Sequence, residues 1–106
     1  MSEKPSIPIA CDLTAIPVEL RGQHEHDREV LMQSVEAIEE LPNGYAFRFA
    51  NVPDKLLEIA NFVELERRCC PFFTFTIEVE PGGGYLWLRL TGDEEVKAFT
   101  KAQFMA

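Results

Sequence analysis

The chain reads as an α+β two-layer sandwich: a four-stranded antiparallel sheet with helices on one face, in the order α-ββ-α-ββ-α. Three observations predict it. Apolar residues recur at three- and four-residue spacings in three separate stretches, the period of helices that bury one face. Between them lie two pairs of segments in which apolar and polar residues alternate, the period of half-buried strands. Turn-forming residues join each pair, Leu41-Pro42-Asn43-Gly44 in one and Pro81-Gly82-Gly83-Gly84 in the other. Each hairpin then has one apolar face and each helix one apolar stripe. Laying the helices on one face of a single sheet buries both.

The elements follow in order. Residues 1–9, with Pro5 and Pro8 among Ser, Glu and Lys, read as a flexible N-terminal arm, and 10–106 as one domain. Pro17 suits a first helical position and Glu19 favours a helix N-terminus. Leu20, His24, Asp27, Leu31 and Val35 then mark one helical face, so a first helix is expected from Pro17 to Met32. Residues 34–40 are ambiguous alone, but a strand there supplies the hairpin partner of Tyr45, Phe47 and Phe49. Asn51 to Asp54 reads as a cap before a second helix, Pro53 to Cys69, with Leu56, Ile59, Ala60 and Val63 as its stripe and Glu66 and Cys70 on or near it. Cys69 is expected on the flank beside Phe62. Pro71 disfavours helical geometry at Cys70 and ends the helix. Phe73, Phe75, Ile77 and Val79 alternate with Thr74, Thr76 and Glu78, and Leu86, Leu88 and Leu90 alternate with Trp87 and Arg89. Thr91-Gly92-Asp93-Glu94 has capping-box spacing, with Thr91 as the expected cap. The last helix then turns Val96, Phe99 and Ala102 inward.

Composition excludes several classes of function. The chain has 106 residues, 46% of them hydrophobic, enough for a core of its own. Its 10 basic and 18 acidic residues leave a net charge of −8, which argues against nucleic acid and against an anionic membrane as partners. No segment approaches the roughly 18–20 apolar residues of a membrane span, and Met1 to Pro8 hold no export-signal core, so the expected location is cytoplasmic. An odd count of three cysteines in such a domain is expected as reduced thiols. If Trp87 and Arg89 face outward with Thr74 and Thr76, a homodimer through the outer sheet face is the expected assembly.

The chemistry concentrates at Glu64-Leu65-Glu66-Arg67-Arg68-Cys69-Cys70-Pro71-Phe72-Phe73, where two adjacent cysteines sit at a helix-to-strand corner. Thiolates are soft ligands that select Zn(II), Cu(I), Hg(II) or As(III) over Mg and Ca. Cys69 and Cys70 offer two sulfurs, Cys11 a third if the segment before the first helix crosses the corner, and His24 a fourth ligand. Three sulfurs in a pyramid suit As(III), and three cysteines with a histidine in a tetrahedron suit Zn(II). Linear two-sulfur Hg(II) suits adjacent cysteines poorly. Glu66, Arg67 and Arg68 are the expected supporting groups: Glu66 with Arg28 or Arg48 as its own partner, and the two arginines as cations favouring thiolate. A helix C-terminus opposes that effect, so no activated nucleophile is expected. The same cysteines could equally pack in the core. The spacing is no zinc signature, and the chain carries no phosphate loop.

The Ala10-Cys11-Asp12-Leu13 start, the Glu66-Arg67-Arg68-Cys69-Cys70-Pro71-Phe72 corner and the Leu88 to Gly92 strand end before a short acidic helix resemble a small bacterial family. The resemblance spans Cys11 to Phe104. Some members of that family sit in heavy-metal-resistance contexts, and none brings an established activity or an assigned catalytic residue. Residues and resemblance together lead to a soft-metal or metalloid binder, through Cys69, Cys70, Cys11 and His24, for buffering, delivery or sensing. The alternatives are a non-enzymatic interaction module with inert core cysteines, and a cysteine-dependent thiol or redox enzyme using Glu66 or His24 as base.

Overall fold

The computed structural model describes residues 8–105. Up to residue 7, the expected N-terminal arm lies outside the described residues; Ile9 is half-buried against the core. A 3-10 turn, Leu13–Ala15, leads into α1 (Val18–Gln33), followed by β1 (Val35–Leu41), β2 (Gly44–Phe49), α2 (Lys55–Cys69), β3 (Thr74–Val79), β4 (Leu86–Thr91) and α3 (Glu94–Phe104). The strands form one antiparallel sheet in the order β1-β2-β4-β3, as the hairpin pattern requires. Among the described residues no helix is long and apolar enough to cross a membrane.

The core grows from the central pair of strands. Tyr45, Phe47 and Phe49 of β2 stand opposite Leu90, Leu88 and Leu86 of β4, and all six are buried. Facing them are Leu31 of α1, Ile59 and Phe62 of α2 and Val96 of α3, with Phe72 and Phe73 beside the corner. On the other side of the sheet, Arg89 pairs with Glu78, the Trp87 indole donates to Glu80, and the Arg48 guanidinium lies over the Tyr85 ring. Ile77 and Val79 register with core leucines yet stay exposed, because β3 is an edge strand whose far end the helices leave uncovered.

Several local expectations are corrected. The buried face of α2 is Lys55, Ile59, Phe62, Glu66 and Cys69, so Leu56 and Ala60 face solvent and Phe62 and Cys69 move from the flank to the centre. Leu20 is exposed on α1, and Thr100 takes the inward place expected of Ala102 on α3, with its hydroxyl donating to the Val96 carbonyl. Leu41 pairs with Gly44, so Pro42-Asn43 forms the loop and Gly44 opens β2. Gly44 is needed because a side chain there would run into the Leu90 carbonyl of the neighbouring strand. The cap of α2 is Asp54 in left-handed geometry, with no side-chain bond.

The N-cap of α3 is Asp93, not Thr91: its carboxylate accepts from the Val96 N–H at 2.9 Å. Removing such a cap costs about 1 kcal/mol. Asp93→Ala is therefore expected to lower the calorimetric melting temperature by about 4–8 °C. An unchanged melting temperature would assign no stability to this cap.

Candidate thiol and metal site

The site is assembled where three segments meet. Helix α2 ends at Cys69 because Pro71 follows Cys70, and the Cys70 N–H closes the last turn on the Glu66 carbonyl at 2.7 Å. The segment before α1 is tied to this corner through its backbone: the Asp12 N–H donates to the Cys69 carbonyl at 2.7 Å. That bond sets Cys11 beside the adjacent pair. Asp12 also caps the 3-10 turn, accepting from the Thr14 N–H, so the crossing is held on both sides. From the third direction, α1 packs against α2 and delivers His24, whose ring stacks on Phe62 with centroids 5.6 Å apart.

The sulfurs of Cys11, Cys69 and Cys70 lie within 4.8 Å of one another, a cysteine cluster that could hold a metal ion. Cys11 and Cys70 are paired as a disulfide across a sequence separation of 59, and Cys69 remains the free thiol. This corrects the expectation of three reduced thiols: the odd cysteine count hid a pairing that only the backbone crossing makes geometrically available. Cys69 Sγ lies 3.3 Å from Cys70 Sγ.

Glu66 is at the centre of the arrangement. It is 3% exposed, and one carboxylate oxygen, Oε1, is shared by its neighbours. The Cys69 thiol donates to it at 3.3 Å, Cys70 Sγ lies 3.8 Å away, and His24 Nε2 stands at 3.3 Å and donates when it carries the ring proton. A buried carboxylate needs such partners. The partner is His24, not the Arg28 or Arg48 expected from the sequence. His24, Glu66 and Cys69 form a second group of ligand atoms within 4.8 Å of one another, overlapping the first at Cys69. Arg67 and Arg68 lie elsewhere: both are exposed and both pair with Glu64, at 3.0 and 2.7 Å, on the solvent side of α2.

The electrostatics follow. Burial, and then the Glu66 carboxylate beside it, push the Cys69 thiol up to about 12. The expected balance between the helix terminus and Arg67 or Arg68 is replaced by desolvation and Glu66. At neutral pH Cys69 is a protonated thiol. Because its folded value lies above the ordinary 9.0, its contribution to stability is intact below pH 9 and is lost as pH rises toward 12. Alkylation of the oxidised, folded protein by iodoacetamide is expected to modify Cys69 alone, and slowly at pH 8, with a rate still climbing above pH 9. A fast reaction that has levelled off by pH 8 would contradict this placement of the thiol.

A cleft of about 340 Å³ opens beside the cluster, between the Cys11 segment and α1, lined by Cys11, Arg21, His24, Arg28, Glu66 and Cys69 among others. The cluster is therefore reachable from solvent although Cys69, Cys70, His24 and Glu66 are buried. No family model, curated protein or solved structure matches the chain.

Proposed function

We propose that the chain binds a thiophilic metal or metalloid ion through Cys11, Cys69 and Cys70 in its reduced form, for buffering, delivery or sensing. The observation that supports the reading best is the convergence of Cys11 on the adjacent pair from 59 residues away, with a buried carboxylate placed against the same sulfurs. Three soft donors on one side of a small site favour an ion that takes a trigonal pyramid of sulfur, such as As(III). Zn(II) would need a fourth ligand from Glu66 or His24. Binding replaces thiol protons by the ion, so the ion must compete with the proton for each sulfur. Glu66 and His24 would fix the sulfurs' orientation. The resemblance to a family with members in heavy-metal-resistance contexts supports the same direction.

Native mass spectrometry of the reduced protein, with As(III) or Zn(II) added, tests the reading. One equivalent of As(III) is expected on the wild type and none on the Cys69→Ser/Cys70→Ser variant. Equal uptake by that variant would overturn the assignment.

A further inference from the structure

The Cys11–Cys70 bond must open before the three sulfurs can act together, and a cleft lined by Cys11 adjoins it. We propose that this cleft docks an anionic low-molecular-weight thiol, which reduces the disulfide by exchange at Cys11. The inference rests on reading the three cysteines as the functional site.

Exposure selects the sulfur. Cys11 is exposed and lines the cleft, whereas Cys70 is buried and does not, so an incoming thiolate reaches Cys11 Sγ. Charge selects the thiol. The chain as a whole carries −8 and repels anions, yet the cleft is flanked by Arg21 and Arg28. Both guanidinium groups are fixed in place. Arg21 Nε donates to the carbonyls of Leu13 and Ile16 at 2.8 and 3.0 Å. Arg28 Nη2 donates to the Gln103 carbonyl at 3.2 Å, and its guanidinium lies 4.5 Å over the Phe104 ring. Neither arginine forms an ion pair with a carboxylate among the described residues. Of the lining carboxylates, Glu66 is engaged by His24 and Cys69, and Glu25 is exposed. With a screening length of about 8 Å at physiological salt, the charges that count are those of the lining, two arginines against Glu25 and an engaged Glu66, and not the distant acidic surface. A carboxylate or sulfonate on the incoming thiol would take the free guanidinium N–H groups.

The exchange balances without another reactant. The thiolate sulfur bonds to Cys11 Sγ as the Cys11–Cys70 bond breaks. The electron pair leaves on Cys70 Sγ, which regains through solvent the proton lost by the incoming thiol. A second thiol attacks the small-molecule sulfur of the mixed disulfide and releases Cys11 as a thiol. Two small thiols become one small disulfide, and the protein disulfide becomes two thiols.

The test compares 2-mercaptoethanesulfonate, an anion, with neutral 2-mercaptoethanol on the oxidised protein. Mixed-disulfide and reduced species are followed by intact mass, and each rate is divided by that thiol's rate on the same protein unfolded in urea. The anion is expected to be favoured roughly tenfold in the folded protein. Arg21→Gln/Arg28→Gln should abolish the preference, while Arg28→Lys, which keeps the charge, should retain most of it. Equal normalised rates, a preference that survives loss of both arginines, or an air-oxidised protein without the disulfide would each overturn the proposal. Protein reduced by a phosphine bypasses the cleft, so its As(III) uptake reports on the ion site separately.

Discussion

Cys11→Ser is expected to weaken As(III) binding by the reduced protein roughly 10²-fold or more, although it leaves the adjacent pair intact. Cys69 and Cys70 are neighbours in any conformation, folded or not. The third sulfur is different: the Asp12–Cys69 backbone bond holds it at the corner, where it would meet an ion bound by the pair. Closing that contact is intramolecular, and tethered contacts of this kind raise affinity by 10² or more. Titration of the reduced wild type and variant, followed by calorimetry, measures the difference directly. Reduction of both removes the disulfide from the comparison. Urea-unfolded wild type should behave like the variant, since unfolding disperses the third sulfur and spares the other two. A variant that binds as tightly as wild type would mean that the adjacent pair alone makes the site.

Phe47→Ala is expected to destabilise the fold by about 3–5 kcal/mol. Phe47 is fully buried at the middle of β2, opposite Leu88 on one neighbouring strand and Ile38 on the other, with the Phe104 ring 6.0 Å away. Truncation removes its buried area and leaves a space bounded by a sheet, which relaxes little. A loss of that size is a large part of the stability of a domain this small. Urea denaturation at fixed redox state should show a lower midpoint with an unchanged slope. A loss below about 1 kcal/mol would contradict the placement of Phe47 at the centre of the core.

Much of the fold was legible in the sequence because it follows from short-range periods. Tyr45, Phe47 and Phe49 alternate with Ala46 and Arg48, the leucines of β4 alternate with Trp87 and Arg89, and these six residues form the centre of the core. A helical stripe is ambiguous where adjacent residues are both candidates for it. On α2, Leu56 and Ala60 are apolar but lie one position from the true buried line, and an aliphatic side chain alone does not identify the face. The sequence alone does not settle the α3 cap, because Thr91 and Asp93 both have capping side chains and only the backbone path selects Asp93.

The site was legible to the extent that it is local. Pro71 fixed the helix end and therefore the position of the adjacent cysteines, and the stripe of α1 pointed to His24. What joins these pieces is tertiary. The pairing of His24 with Glu66 depends on the registry of α1 against α2, and the arrival of Cys11 depends on one backbone hydrogen bond to the corner. Neither has a sequence spacing of its own. Arg67 and Arg68 adjoin the cysteines in sequence, but on a helix they reach back three and four residues to Glu64. Arg21 and Arg28, distant in sequence, are the cations that flank the cleft, and their seven-residue spacing on one face of α1 was the signal that could have placed them there.

The central claim is that three sulfurs from two distant segments hold one ion. Arsenic K-edge absorption fine structure on the reduced protein loaded with one equivalent of As(III) counts those sulfurs directly. Cys11, Cys69 and Cys70 predict three sulfur neighbours in the wild type, falling to two with an added oxygen in Cys11→Ser. Two sulfurs in the wild type, unchanged by that substitution, would contradict the account.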